Sequence, residues 1–339
     1  MLKKVVILFS FFGLLASELN AQDIHFSEFF ITPHFVNPAL TGNFEGTYRY
    51  SGIIRRQWSS VTAQPFQTFG GAAEMTQPLN LKPMSAGIRI FHDYAGLSNL
   101  TTTSIAVPVS LKLRFGSEKN ITLSLGGQAE FFQRSIDYSR LSYDDQFFDN
   151  RYFPDIPSQE SSRVGTVTNF NFSGGLYLEK RVSERKRLGL GISSFNLNQP
   201  DLSWSSSAAS KVPTRTNFHV FSSIALGASD FDLMPAAQFQ IQGVHNELLL
   251  GSALRYHLLS TALDQRSIQF GLWARTRDAV FLSAGFSKNN LFVGGSYDFN
   301  FSRLRVASEN LGGWEIGIIY TIATVREKVQ RVRQCPDYL

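Results

Sequence analysis

The chain has 339 residues, including 30 Phe, 11 Tyr, 4 Trp and 26 Gly, and its single cysteine excludes an internal disulfide framework. The formal net charge of +5 is spread without a strong block of one sign, so the composition does not indicate a nucleic-acid-binding protein. Many aromatic residues and glycines in a cysteine-poor chain are typical of an all-β fold.

The first element in the chain is a predicted signal peptide, residues 1–21. Lys3 and Lys4 precede an apolar run at 5–15, and Ala21 supplies a small residue at the cleavage point. The apolar run is too short to span a bilayer, although an uncleaved N-terminal anchor is the alternative. We expect the mature chain to begin at Gln22.

The next segment, residues 22–46, is rich in aromatic residues and is interrupted by Pro33 and Pro38. It is therefore a poor membrane strand. Two placements remain open: a lead-in packed on the periplasmic end of the strands at 47–323, or a plug inside them. Its candidate partner-binding residues are His25, Phe26, Phe29, Phe30, Asn37 and Pro38.

Residues 47–323 contain about fourteen segments in which apolar and polar residues alternate, the period of a β-strand with two unlike faces. Most are nine residues or longer, the length of a tilted membrane strand rather than of an ordinary soluble one. The predicted strands are 47–58, 66–76, 85–93, 101–115, 120–134, 167–181, 187–196, 215–227, 231–241, 246–257, 266–275, 279–287, 290–301 and 313–323.

The connections between these strands indicate an orientation. The longest gaps, 135–166, 197–214 and 302–312, all follow odd-numbered strands, whereas several gaps after even-numbered strands are tight. The relation between gap length and strand number is incomplete, because the gap 276–278 is short although it follows an odd-numbered strand. Outer-membrane barrels have short periplasmic turns and longer extracellular loops. The sequence thus predicts a transmembrane antiparallel β-barrel of about fourteen strands with both termini in the periplasm; a soluble sandwich or propeller is the alternative.

The long loops and the tail are the candidate contact regions outside the bilayer. Aromatic side chains are common hot spots of protein interfaces, although loop packing and a membrane-interface girdle also use them. The basic tail at 324–339 is either solvated or docks periplasmic machinery. The loop candidates for partner binding are Phe147, Phe148, Tyr152, Phe153 and Trp204.

Catalytic and metal-binding motifs are weak. The six histidines form no pair with metal-ligand spacing, and the acidic residues Asp144, Asp145 and Asp149 lack the EF-hand pattern. The glycines of 188–194 lie inside an alternating segment rather than before a helix, and no G-x-S-x-G elbow occurs. We predict neither an enzyme nor a cofactor.

Several short motifs resemble, in order, those of the PorP/SprF family of type IX secretion outer-membrane proteins. QDIHFSEFF at 22–30 and NPALTG at 37–42 resemble the opening of that family, with departures at Glu28 and Phe30. RRQW (55–58), DYAG (93–96), GSYD (295–298), GWEI (313–316) and the final CP (335–336) resemble later elements. The matching positions include Arg56, Gln57, Trp58, Asp93, Gly96, Tyr297, Asp298, Ser302 and Glu315.

The resemblance implies an outer membrane of the Bacteroidota type and a role in type IX secretion or gliding motility. It implies that a large secreted adhesin is bound through its C-terminal domain and exported or anchored, and that periplasmic ring or motor components are further partners. Two alternatives stay open: a solute or fatty-acid channel, and a barrel enzyme acting on lipid.

Overall fold

The computed structural model describes residues 26–323 except 63, 97, 117, 119, 150, 159–164, 184, 205–209, 262–263 and 302–307. Within these residues fourteen antiparallel strands form a closed barrel, while β6 and β7 form a separate two-stranded sheet. No helix in the described part of the chain is long and apolar enough to cross a membrane. The strands are β1 (Tyr48–Gln57), β2 (Phe66–Thr76), β3 (Met84–Ala95), β4 (Leu100–Phe115), β5 (Ile121–Ser135), β6 (Phe147–Phe148), β7 (Arg151–Tyr152), β8 (Thr166–Arg181), β9 (Arg187–Phe195), β10 (Arg215–Ala225), β11 (Phe231–Gln242), β12 (His245–Ser260), β13 (Gln265–Arg275), β14 (Ala279–Lys288), β15 (Leu291–Asn300) and β16 (Leu311–Ile322).

Every predicted segment is a strand of the barrel, so the predicted fold is confirmed. The largest difference is at the end of β12, which continues to Ser260 rather than ending at residue 257. The pairing of β12 with β13 shifts register between His257 and Leu259. Such a bulge interrupts the alternation of side chains, and the sequence pattern stops there for that reason.

The outer face of the barrel is apolar and its inner face is largely polar, as the alternating sequence pattern predicts. Ile54 of β1 lies opposite Ile316 of β16, and these side chains are 43% and 54% exposed on the outer surface. One residue further, Arg55 lies opposite Glu315, and both are buried inside. The same alternation of outward apolar and inward polar residues recurs in strands all around the barrel, so large apolar side chains cover its outside. An apolar outer band is the surface that lipid requires.

The connections are sorted between the two ends of the barrel. One end, here called the short-turn end, carries 77–83, 116–120, 182–186, 226–230, 261–264 and 289–290. The opposite end, the long-loop end, carries 58–65, 96–99, 136–165, 196–214, 243–244, 276–278 and 301–310. Tyr48, which begins β1, pairs with Ile322, which ends β16, so the barrel begins and ends at the short-turn end.

Residues 26–46, here called the internal segment, lie inside the barrel. Its prolines begin two single turns of 3-10 helix, Pro33–Phe35 and Pro38–Leu40. Apart from Phe30 and Phe35, every residue from 26 to 42 is buried. Phe29 packs against Phe221 and Trp273, with ring centroids 5.5 and 5.3 Å apart. The turns make the segment compact enough to fill the lumen instead of extending as a strand.

Candidate functional site

The start of the internal segment is held near the long-loop end by acidic side chains of the barrel wall. The backbone N–H groups of Ser27 and Glu28 donate to the two carboxylate oxygens of Glu315, at 2.8 and 2.7 Å. The Ser27 hydroxyl donates to Asp298 at 2.8 Å. Arg55 forms ion pairs with Glu315 and Asp298. β1, β15 and β16 therefore bind the segment at one point.

A second buried guanidinium, Arg275 of β13, also belongs to this charge cluster. It donates to the Ser27 hydroxyl at 2.8 Å and to Asp278 at 2.9 Å, and it lies 3.5 Å from Asp298 and 3.8 Å from Glu247. Charges this deeply buried need opposite charges and hydrogen bonds nearby.

Acidic groups outnumber basic ones in this charge cluster. Three guanidinium groups, those of Arg55, Arg215 and Arg275, lie among the carboxyl groups of Glu28, Glu247, Asp278, Asp298 and Glu315. The Glu28 carboxyl group is buried beside those of Glu315 and Asp298; Ser296 is the side chain placed to donate to it, and neither carboxyl oxygen makes a hydrogen bond of ordinary geometry among the described residues. Of the carboxyl groups in the charge cluster, that of Glu28 is therefore the one least well hydrogen-bonded by the barrel wall.

The middle of the internal segment is fixed by Asn37. Its side-chain amide donates to the carbonyl oxygens of Leu176 and Ile192, at 2.9 and 3.2 Å, and its carbonyl oxygen accepts from Ala39 N at 2.8 Å. A Cβ at Gly175 would overlap the Asn37 side chain, so glycine is required at that position of β8. Asn37 thus serves both as the cap of the second turn and as a contact to the wall.

The end of the internal segment is held near the short-turn end by Glu74 of β2. Its carboxylate accepts from Gly42 N at 2.7 Å and from Arg49 Nε at 2.6 Å, and it lies 3.1 Å from His34. The Lys112 ammonium donates to the Gly42 carbonyl. The segment therefore runs down the lumen from the charge cluster to the short-turn end.

A cavity of about 1380 Å³, here called the vestibule, lies in the barrel at the long-loop end. The internal segment contributes Phe35 to its lining, and the Arg89 guanidinium lies 4.1 Å from the centre of that ring. The wall contributes side chains of both charges together with aromatic and amide groups. Among the lining residues are Gln57, Trp58, Asp93, Asn171, Glu247 and Asp298.

The loop 136–165 carries a small hairpin, β6 and β7, at the same end. Phe147, Phe148, Tyr152 and Phe153 are each between 42% and 55% exposed. Phe147 contacts Tyr152 at 5.1 Å between ring centroids, and Phe148 contacts Phe153 at 6.2 Å. Successive residues of a strand point to opposite faces, so the hairpin presents one exposed aromatic pair on each face; these four residues are here called the aromatic hairpin.

The loop 196–214 is organised by Asp201. Its carboxylate accepts from Ser203 Oγ, and from the backbone N–H groups of Ser210 and Ser203 at 2.9 Å each. These hydrogen bonds hold the pKa of Asp201 below its usual value, because they stabilise the charged form. Trp204 follows in this loop and is half-buried, so it contributes less exposed surface than the aromatic hairpin.

The structure places the predicted site residues in several different parts of the barrel. Phe26, Phe29, Asn37 and Pro38 are buried in the lumen with the half-buried Phe30, while His25 and Ser302 lie outside the described residues. Asp298 and Glu315 belong to the charge cluster, and Gln57, Trp58 and Asp93 line the vestibule. Arg56 and Tyr297 each lie opposite Trp314 in the strand pairing, and Gly96 has the positive φ of a tight turn.

Sequence reasoning did not single out Arg55 or Arg275 as site residues. Both occupy inward positions on their strands, and a charged residue at such a position is a readable signal. Their partners are not readable in the same way, since Arg55 and Glu315 are 260 residues apart.

These features define an outer-membrane β-barrel whose lumen holds its own N-terminal segment. The family model for "Type IX secretion system membrane protein PorP/SprF" matches residues 18–320, so the chain belongs to that family. The predicted family resemblance is confirmed. A search of curated proteins finds no significant match.

Solved barrels with a similar fold include two hydrocarbon transport proteins and a FadL homologue. The CymD monoaromatic hydrocarbon channel has a TM-score of 0.48 and 10% identity, covering 86% of this chain and 92% of that chain. The Pseudomonas putida toluene transporter TodX has a TM-score of 0.48 and 8% identity, covering 88% and 93%. A Pseudomonas aeruginosa FadL homologue has a TM-score of 0.44 and 12% identity, covering 84% and 92%.

Proposed function

We propose that this barrel is a non-enzymatic component of type IX secretion that binds a large secreted surface protein through its C-terminal domain and helps to export or anchor it. The observation that carries the proposal is the arrangement at the long-loop end. There an open vestibule and an exposed aromatic surface lie above a lumen that the internal segment occupies. This arrangement suits binding at one end more than passage through the barrel.

The orientation is part of the proposal. Short turns face the periplasm and longer loops face outward in outer-membrane barrels. The long-loop end is then extracellular, and the chain enters and leaves the barrel on the periplasmic side after removal of the signal peptide. A partner that has already crossed the membrane meets the vestibule and the aromatic hairpin first.

The chemistry of the aromatic hairpin suits a protein partner. Aromatic side chains that are partly exposed and already packed against each other lose little conformational freedom on binding. The acidic residues Asp144, Asp145 and Asp149 lie on or beside the same hairpin, with Arg151 as the basic residue within it. We therefore expect the contacted surface of the partner to be apolar with a basic rim.

The channel alternative requires the internal segment to leave the lumen or to move aside. The three sets of wall contacts described above would then have to break together. For this reason the anchoring function is the one we propose, and the conductance measurement described in the Discussion tests the channel directly.

The test is affinity purification of the tagged, full-length protein from solubilised outer membranes, with co-purified proteins quantified by mass spectrometry. We expect one large secreted protein in near-equal amount. The double variant Phe148→Ala/Phe153→Ala should reduce its recovery roughly tenfold or more, as for loss of interface hot spots. The matched control, Phe172→Ala/Phe270→Ala on the lipid-facing surface, should retain it. Equal recovery with both double variants would refute the aromatic hairpin as the contact.

A further inference from the structure

The short-turn end of the lumen carries a group of basic side chains on neighbouring strands, here called the basic mouth. It comprises Arg185, Arg187, Arg255 and His257: Arg185 and His257 bind the carboxylate of Asp232, Arg255 lies near that carboxylate, and Arg187 lies near Arg255. Arg185 contacts Asp232 at 2.7 Å and His257 contacts it at 2.6 Å. The basic mouth lies at the opposite end of the barrel from the vestibule and takes no part in the proposed cargo binding.

Asp232 does not neutralise this group. Its two carboxylate oxygens already bind Arg185 and His257. Arg255 donates to the Gln269 amide oxygen at 3.3 Å, while its buried Nε has no hydrogen-bond acceptor among the described residues. The positive charge of Arg187 lies near that of Arg255 and repels it. Two guanidinium groups therefore share the site without a carboxylate of their own.

The residue opposite Arg187 in the strand pairing adds positive charge rather than negative charge. Arg187 lies opposite Arg181 in the β8–β9 pair, and like charges in that position repel each other. Arg181 is itself paired with Glu45 and Glu179. Within the basic mouth itself, Arg185, Arg187 and Arg255 give +3 against −1 from Asp232, an excess of +2 with His257 neutral.

The basic mouth faces the lumen, so lipid on the outside of the barrel cannot reach it. Arg187, Asp232 and Arg255 occupy the inward positions of β9, β11 and β12, as do the buried Ser193, Gln238 and Ala253 further along the same strands. From β9 to β12 the group spans three strand spacings, about 14 Å. In an extended peptide, carboxylates on alternate residues are roughly 7 Å apart, so three of them match this span.

We propose that the basic mouth binds an extended acidic segment of a periplasmic protein. The inference rests on the proposed orientation but not on cargo binding at the long-loop end. Arg187 and Arg255 supply the charge-assisted hydrogen bonds, and Arg185 and His257 are held in place beside them by Asp232. The affinity should fall as the salt concentration rises, because the contacts are largely electrostatic.

The experiment measures binding of a fluorescein-labelled hexaglutamate peptide to the purified full-length barrel by fluorescence anisotropy. We expect saturable binding that weakens at high salt. The variant Arg187→Gln/Arg255→Gln should weaken it roughly tenfold or more, whereas Arg187→Lys should retain most of it. The matched control, Lys211→Gln/Arg277→Gln, removes two positive charges at the long-loop end and should leave the affinity unchanged.

Three results would overturn the proposal. Equal weakening by both double variants would mean a general charge effect, and equally tight binding of labelled hexalysine would mean non-specific adhesion. If pyrophosphate, added at the same concentration of negative charge, displaced the peptide, the basic mouth would be a site for small anions instead. Retained resistance of each variant to unfolding by SDS before heating checks that the barrel has folded. Failure of cargo recovery with intact peptide binding would refute only the proposed function.

Discussion

A single glycine in β5 tests whether the internal segment is a permanent part of the barrel. A Cβ at Gly126 would overlap the backbone of Pro38 and Ala39. At the next position, Gly127, the nearest heavy atom to a Cβ is the Ser173 carbonyl oxygen at 4.0 Å. Gly126→Val and Gly127→Val therefore place the same side chain on the lumen side and on the opposite side of one strand.

The effect of Gly126→Val depends on two free-energy costs, that of overpacking the lumen and that of releasing the internal segment. Overpacking a filled interior costs about 1–3 kcal/mol. Release of the segment would expose Phe29, Val36 and Leu40, which are buried, at about 1.5–3 kcal/mol each, and would also break the charge cluster. Local displacement costs less free energy than release. We therefore expect Gly126→Val to destabilise the barrel by about 1–3 kcal/mol without opening it.

Two assays on the purified barrel check this expectation. Unfolding in detergent should show a lower midpoint for Gly126→Val, with Gly127→Val close to the wild type. Conductance across planar bilayers should stay closed for all three proteins. An open channel in Gly126→Val with an unchanged unfolding midpoint would refute the reasoning and make the segment a weakly held gate. Equal stability of the two variants would contradict the placement of the segment against β5.

Further predictions concern the charge cluster and the whole segment. Arg275→Met should destabilise the barrel by about 3–5 kcal/mol, because it leaves buried carboxylates unpaired, whereas the exposed Arg277→Met should change it by less than about 0.5 kcal/mol in the same unfolding assay. Glu28→Gln should raise the unfolding midpoint, because the amide can donate to the neighbouring carboxylates of Glu315 and Asp298 and cannot ionise beside them. The exposed Glu118→Gln is its control, and a fall in the midpoint would show that the wall already satisfies the carboxyl group of Glu28. Deletion of residues 26–46 from the mature chain should yield a conducting barrel, and a closed one would mean that other residues seal the lumen.

The strands were predictable because membrane barrels impose one rule along the whole chain. Most inward positions are polar or small, apart from those such as Trp273 that pack against the internal segment, and most large apolar side chains point outward, so a period of two identifies β15 as clearly as β4. The alternation is interrupted where the register shifts, as between His257 and Leu259. The lengths of the connections then distinguish the short-turn end of the barrel from the long-loop end.

The candidate site was less predictable, since its residues meet only after the barrel closes. Ser27 and Glu315 are 288 residues apart, and no local pattern relates them. The placement of residues 22–46 stayed open for a related reason. Aromatic residues and prolines suit a buried segment in the lumen as well as one packed beneath the barrel. The inward arginines were visible as unusual residues, but their partners were not.

The charge cluster has a consequence for assembly. It joins the start of the internal segment to β1, β13, β15 and β16, and thereby spans the β1–β16 pairing that closes the barrel. Contacts between residues this distant in sequence form late, because they must overcome the largest loss of chain entropy. Docking of the internal segment and closure of the barrel then depend on each other. A chain truncated before β15 lacks Asp298, Glu315 and the closing strand, and so loses the carboxylates that hold Ser27 and Glu28.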